Sequence, residues 1–550
     1  MTTPTPGLSL QAEPAGKTKW KITVKASGDV VFVDTISLSN ASARKKFADA
    51  LSEQFPGIAR EPIDAELLRL AASGTTPSPS VDQLQEVDVR LVVRPELFHT
   101  TEVSGITIPV VFDVAGKLVS RWRMYLRWND GRREAIDLPE RVVLPGGSTL
   151  YIHPEPGEPP RSEPPGWSSD SRQVWLTGRA APDPATTFQR VCKRIAHYLD
   201  FPPEIAPAAT ATLALWSMFS YVYPAWDAVP YLYIGGPTGS GKTRVLEILE
   251  QLVFRPTSTS NMTPACLFRT IHTRGGVLIY DEAEQLRQLT PEVAEKMSVL
   301  LAGYRKGGTA TRLEPVGDSF RSTQFQVFGP KVLACIAGLP PILANRTIAT
   351  TMFRSDSESP KPRRRVDTDL AEWESIRDDL HILALENGPT WISLAAWTDV
   401  VPAGIGGRAY QLWQPLLALG GWLQDRGADR LLELLRQHAV ASVVAARDDA
   451  IPEADEVLLE LLAEAVRACR PPTTADLLKL AKERDEVTFK TWGPKAVTSR
   501  LKTYGILTPK KTNGERRYRD VTPEMLVRIG ERYGIDLGWP GVKCDLPTCP

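Results

Sequence analysis

Apolar and polar positions alternate along residues 20–38: Trp20, Ile22 and Val24, then Val30, Phe32 and Ile36 beyond Ser27-Gly28-Asp29. A period of two belongs to half-buried strands, so this stretch predicts a β-hairpin. Asn40 then offers a cap to a helix whose Phe47, Leu51 and Phe55 recur every fourth residue, stopped by Pro56. A Ser/Thr/Pro stretch at 74–80 separates this α+β region, 1–73, from a β-rich domain over 81–152. There Trp122, Met124, Leu126 and Trp128 face one way and Arg121, Arg123 and Arg127 the other, before Asp130-Gly131 turns the chain back. The arginine row reads as the solvated face of an antiparallel sheet.

Residues 153–184 begin as a proline-rich segment (HPEPGEPPRSEPPG) and are expected to be an extended linker. From 185 to 355 helical patterns alternate with short apolar strands, which predicts an α/β domain with a parallel central sheet. A charged stretch, Ser355 to Arg365, leads to a helical region over 366–470. A basic module over 471–538 and a tail over 539–550 follow. In that module a helix, Pro494 to Tyr504, turns at Gly505, and Lys510 to Tyr518 folds back around Asn513-Gly514, the order of a winged helix.

Charge narrows the partners. The 65 basic and 65 acidic residues cancel, so any polyanion must be held by local patches rather than by a global field. Six scattered cysteines do not make a disulfide framework, and Cys544 and Cys549 lack a second Cys/His pair that would complete a metal site. The N-terminal Thr/Pro-rich residues carry no basic-then-apolar signal, and the most apolar window, 208–223, is too short to span a bilayer. The expected location is cytoplasmic, with no membrane partner.

The chemistry is concentrated in one string. An apolar run from Val229 to Ile234 enters Gly236-Pro237-Thr238-Gly239-Ser240-Gly241-Lys242-Thr243, and a helical pattern with Val245, Leu246, Ile248 and Leu249 follows. This is GxxxxGK[ST] between a strand and a helix: glycines let amides curl around a phosphate where the helix dipole favours anions. Lys242 is expected to reach the β- and γ-phosphates and Thr243 to ligate magnesium. About forty residues on, Gly275 to Tyr280 reads as a buried strand ending in Asp281-Glu282. Asp281 is expected to hold the metal through water and Glu282 to act as general base, on a strand neighbouring that of the loop. ATP and Mg2+ are the implied cofactors.

These two motifs and their spacing resemble an AAA+ ATPase, more narrowly the ATPase domains found beside primases of phages and plasmids, related to superfamily 3 helicases. The resemblance is strongest over roughly 185–355 and does not reach the first 180 residues. It implies a γ-phosphate sensor on the strand of Lys331 to Gly338, but the usual polar residue is missing there, since the strand ends in Ala337-Gly338. It further implies an arginine finger at Arg346, a lid contact from Arg408 to the γ-phosphate, and a homo-oligomer, by analogy a hexamer. The same relatives carry a hairpin that grips single-stranded DNA in the pore. Here that role is expected of Gly303 to Arg312, with Tyr304 stacking and Arg305, Lys306 and Arg312 holding phosphates.

Lys510, Lys511, Arg516 and Arg517 of the winged-helix-like module are the second set of DNA candidates. The leading expectation is therefore an ATP-hydrolysing helicase or translocase acting on single-stranded or duplex DNA in mobile-element replication, with a replication protein as a further partner. The alternative is an ATP-gated oligomeric switch that binds DNA or protein without unwinding.

Overall fold

The computed structural model describes residues 8–14, 19–26, 29–38, 40–55, 60–74, 91–154, 157–160, 166–316, 319–355, 358–448, 452–507, 511–512, 515–533 and 535–538. The Ser27-Gly28 turn, the stretch at 75–80, Lys510, Asn513-Gly514 and the tail with Cys544 and Cys549 lie outside the described residues. The chain divides into two units, Met1–Asp88 and Val89–Pro550.

In the first unit the expected hairpin is made by Trp20–Ala26 and Asp29–Ile36. A third strand, Leu8–Pro14, pairs antiparallel with the first of them, although its Pro- and Thr-rich surroundings gave no strand signal. The helix Ala41–Gln54 is capped as read, with the Asn40 Oδ1 accepting from the Ala43 amide at 3.1 Å. Its Phe47 and Leu51 pack on Ile22 and Val24 of the sheet and on Leu67 of a second helix, Arg60–Gly74.

The second unit opens with two small sheets. Leu97–His99, Val103–Val114, Lys117–Trp128 and Arg133–Asp137 form an antiparallel meander, and Thr149–Ile152 pairs with Leu91–Val93 and Arg141–Val143. Met124, Leu126 and Trp128 are buried between them with Val142 and Leu150, as the alternation requires. The opposite face is solvated at Arg121, as read, but covered at its other end. Arg127 and Arg133 both reach Glu386 of the helix Ala371–Ser393, at 2.7 and 2.8 Å. The Trp175 Nε1 donates to the same carboxylate at 2.8 Å. The β-rich part is thus a buttress of the helical region. Paired alternation revealed the two faces but not what covers the second.

A linker over 153–184 is also corrected. Residues 169–176 form a helix capped by Ser168, and Trp167 just before it and Trp175 in its last turn are buried in the main core. Burying a side chain of that size contributes on the order of 2–3 kcal/mol, more than an exposed linker retains. Trp167 stacks on His381 at 5.8 Å, 10° from parallel.

His381 is itself wholly enclosed, with Nδ1 2.7 Å from the Arg377 carbonyl, and burial drives its pKa from 6.5 to about 3. The unfolded chain takes up this proton near pH 6.5 and the folded chain only near 3, so stability falls as pH drops through that window. The melting temperature is expected to decline from pH 6.5 to 5, and less steeply in His381→Asn; equal slopes would contradict the assignment.

The central feature is a five-stranded, wholly parallel sheet. Its spatial order is Pro256–Thr259, Val277–Tyr280, Lys331–Ala334, Tyr231–Gly235 and Thr347–Thr351. The chain leaves Tyr231–Gly235 for the far edge, works back inward, and then crosses to the other side at Thr347. Tyr231–Gly235 is therefore the switch point, where open parallel sheets bind ligands at their carboxyl ends. Helices Pro184–Tyr198, Ala206–Phe219, Ala371–Ser393, Gly407–Gln424 and Leu431–Asp448 share one apolar core with this sheet. The apolar window at 208–223 is mostly the buried helix Ala206–Phe219; no described helix is long and apolar enough to cross a membrane.

The C-terminal module has its own core. Leu477, Val497, Leu501 and Leu526 pack with Leu458, Leu459 and Leu462 of the helix Glu453–Arg467. The module therefore begins at this helix rather than at 471. Helices Thr474–Arg484, Pro494–Thr503 and Pro523–Tyr533 surround a two-stranded ribbon, Lys511–Thr512 with Glu515–Arg516. Cys192, Cys266 and Cys335 are free thiols and Cys469 is disulfide-bonded, a bond the scattered cysteines gave no sign of.

Candidate nucleotide site

The loop after Tyr231–Gly235 needs its glycines for stated reasons. Gly236, Gly239 and Gly241 have φ of 141°, 77° and 93°, a region that side chains avoid. A Cβ on Gly236 would lie 2.4 Å from the Met352 carbonyl, because Thr347–Thr351 runs alongside and the Met352 amide donates to Gly235 O at 2.8 Å. Gly241 leads into the helix Lys242–Leu252 without a side-chain cap. The first-turn amides of this helix therefore have no side-chain acceptor, and they sit behind the concave loop.

Within that loop the Lys242 Nζ donates to the Gly236 and Pro237 carbonyls at 2.7 and 3.0 Å. The Ser240 hydroxyl is buried and finds no hydrogen-bond partner. Thr243 stands exposed in the first helical turn. An ammonium held over carbonyls, an orphaned hydroxyl and a glycine cradle closed to Cβ atoms are the donor set of a phosphate site. Pro237 and Thr238 complete the loop's rim, where the Arg354 Nε donates to Thr238 O at 3.3 Å.

Asp281 and Glu282 lie at the same carboxyl edge. The strand Val277–Tyr280 is buried throughout, and the Asp281 amide extends its ladder by donating to Thr259 O at 2.9 Å. One strand, Lys331–Ala334, separates it from the loop's strand, where adjacency was expected. Two strand spacings put the acidic pair about 10 Å across from the loop, enough for a phosphate and its metal between them. The Asp281 carboxylate accepts from the Glu282 amide at 2.9 Å, and Glu282 opens a short 3-10 helix, Ala283–Arg287, from left-handed backbone at φ 55°. That conformation costs a non-glycine residue about 1 kcal/mol and is commonest at functional sites. Thr243, Asp281 and Glu282 are thus brought to one edge of the sheet, with a hydroxyl and two carboxylates, the oxygen donors a magnesium ion takes.

Arg346 and Arg408 are elsewhere. The Arg346 carbonyl accepts from the Tyr231 amide at 3.0 Å, at the amino end of the parallel strands. Five residues of strand, about 16 Å, lie between it and the loop. Arg408 stands over the Tyr304 ring at 5.9 Å, beside Arg346 at 5.7 Å from the same ring. Burial and then the neighbouring Arg408 hold the Arg346 pKa below its ordinary value, and its Nε is buried without a partner. A contact from Arg408 to the γ-phosphate of its own loop is therefore corrected: both arginines belong to the opposite edge.

The expected DNA hairpin is corrected too. Tyr304 is 2% exposed and its hydroxyl donates to the Gln411 side chain at 3.1 Å. Arg305 bridges to Ala228, and the Lys306 Nζ donates to Pro224 O at 2.9 Å. The two glycines at 307–308 close a turn that leads into a strand, the Gly308 amide donating to Arg305 O at 2.9 Å, and are not a hairpin tip. The hairpin itself is Thr309–Val316 with Ser319–Gln326, placed in sequence between the acidic pair and Lys331. Arg312, read as a phosphate contact, pairs with Glu295. In the C-terminal module Arg516 is exposed, whereas the Arg517 guanidinium donates to Pro471 O at 3.0 Å and lies 3.9 Å from Asp476. Lys511 belongs to the ribbon's first strand.

No family model matches this chain, and no curated protein resembles it. Among solved structures, a full-length MCM homolog from Methanopyrus kandleri aligns over 73% of this chain and 91% of its own, at 12% identity and a TM-score of 0.28. At that level the likeness assigns neither fold nor activity.

Proposed function

We propose that this chain is a magnesium-dependent ATPase of the AAA+ type that works as an oligomeric motor on single-stranded DNA. The observation that carries the reading is the shared carboxyl edge: a glycine-built phosphate loop and an acidic pair face each other across one intervening strand. Lys242 exchanges its two carbonyl partners for β- and γ-phosphate oxygens, and the Ser240 hydroxyl gains the partner it lacks. Thr243 and Asp281 would hold magnesium, which would supply charge neutralisation for the transferring phosphate. Glu282 takes a proton from the attacking water.

Arg346 cannot serve its own loop, so it acts on the nucleotide of an adjacent copy, and Arg408 beside it joins the same task. Two guanidiniums converging on one ring have a common use as an anion site. This implies a homo-oligomer, a hexamer by analogy with the resembling ATPases.

The DNA element is the hairpin of residues 309–326. One of its faces is tied down: Glu314 pairs with Arg269 at 2.8 Å and Arg312 with Glu295. Leu313 and Phe320 share the other face and are 70% and 73% exposed. The hairpin has no lysine. It therefore engages bases by stacking on Phe320 more than phosphates by charge. A stacked base contributes about 1–3 kcal/mol, so Phe320→Ala is expected to weaken single-strand binding at least roughly 5-fold. The test is ATP turnover titrated with single-stranded DNA. Stimulation that needs several-fold more DNA in Phe320→Ala supports the motor. A rate indifferent to DNA favours the ATP-gated switch.

A further inference from the structure

The strand Lys331–Ala334 runs between the loop's strand and the acidic strand, so its carboxyl end faces the space where a γ-phosphate would sit. Its own continuation brings no polar side chain there: Ile336 is exposed, Ala337 has only a methyl group, and Gly338 follows. The backbone is already engaged. The Ile336 amide donates to Glu284 at 2.5 Å, and the Arg287 guanidinium donates to the Ala337 carbonyl.

A hydroxyl arrives from the neighbouring strand instead. The Tyr233 ring leans along its own strand toward the carboxyl end and lies over Gly235, where a Cβ would fall 2.7 Å from the Tyr233 oxygen. Gly235 is therefore glycine because the ring occupies that space, although its backbone makes no such demand. The Cys335 sulfur lies 3.9 Å from this oxygen, a weak contact. Glu284, from the helix that follows the acidic pair, is close enough to act on it electrostatically. The hydroxyl thus lies over the residue that leads into the loop, beside Cys335 at the end of the neighbouring strand and within electrostatic reach of Glu284.

We propose that the Tyr233 hydroxyl replaces the missing polar residue of the Lys331–Gly338 strand and donates a hydrogen bond to the γ-phosphoryl group as hydrolysis proceeds. The inference rests on the ATPase reading above. Burial pushes the phenol's pKa up, so it keeps its proton throughout the neutral range. The contact with the Cys335 sulfur is weak, and the phenol hydrogen can turn from it to an acceptor entering from the loop.

The test is steady-state hydrolysis by the full chain carrying Tyr233→Phe. Losing one preorganised donor to developing charge lowers kcat by about 10²-fold. KM for ATP and affinity for ADP are expected to stay within about 2-fold, because the donor acts on the transferring group alone. Affinity for ADP with aluminium fluoride, which mimics that group in flight, is expected to fall with kcat. Adding Ala337→Asn to Tyr233→Phe places an amide at the strand end and is expected to restore at least about tenfold of the lost rate, a recovery that a misfolded variant would not show. An unchanged kcat overturns the proposal, as does a rise in KM and loss of ADP affinity that match the fall in kcat. If the unaltered chain shows no hydrolysis dependent on Lys242, the ATPase reading itself fails, and this proposal with it.

Discussion

Lys242→Ala is expected to remove ATP binding, weakening it by about 10²-fold or more, the cost of deleting one partner from a desolvated charged contact. The size follows from the loop's construction. Lys242 is the cation over the loop, and its two present partners are carbonyls of that same loop. A triphosphate brings anions into a cradle of amides, and without the ammonium its charge is met by backbone dipoles alone. Titration with a fluorescent ATP analogue reads the loss directly, and affinity within a few-fold of the unaltered chain would contradict it. The same variant tests the arginine assignment. Subunits with Lys242→Ala retain Arg346, and subunits with Arg346→Ala retain the loop, so mixing two inactive preparations is expected to restore turnover. A mixture as inactive as its components would remove Arg346 from the neighbour's site.

Glu282→Gln has the second large effect, and it separates binding from chemistry. The side chain keeps its size and its capacity to hydrogen-bond but cannot take a proton from water, and a positioned base contributes about 10²–10⁴-fold. Turnover is expected to fall by that amount with nucleotide affinity retained. The left-handed backbone at 282 is equally open to Gln, so the substitution adds no new strain. Single-turnover hydrolysis after mixing with magnesium and ATP is the measurement. A normal rate would leave Glu282 as no more than the residue that opens its short helix.

The parts of the fold that were legible in the sequence are those governed by local rules. The phosphate loop announces itself because only glycine tolerates those backbone angles, and the acidic pair because a four-residue buried strand has few other readings. Asn40 caps its helix for reasons confined to four residues. What was missed depends on partners distant in sequence. The covered end of the arginine row, Arg127, looked solvated because its partner Glu386 lies 259 positions away. Trp167 and Trp175 were hidden in a proline-rich stretch whose composition outweighed two aromatic side chains.

The misplacement of the hairpin has the same origin. Gly307-Gly308 is the stronger local turn signal, yet Tyr304 is drawn into the core by Tyr231, Gln411 and the two arginines. The actual turn falls where Leu313 and Phe320 can share one face. Arg408 was assigned from its place in the chain order, which does not say at which edge of a sheet a helix begins. Tyr233 escaped notice because it reads as one more apolar residue of a buried strand. Only the glycine two positions on, which leaves room for its ring, marks it as something else.

The central claim is that residues 236–243 and Asp281-Glu282 form one ATP-hydrolysing site, and it is tested most directly by phosphate release from ATP by the full chain in the presence of magnesium. Turnover that disappears in Lys242→Ala, and again when the metal is chelated, is the predicted result. Turnover that survives in Lys242→Ala, or its absence from the unaltered chain with and without single-stranded DNA, would contradict it.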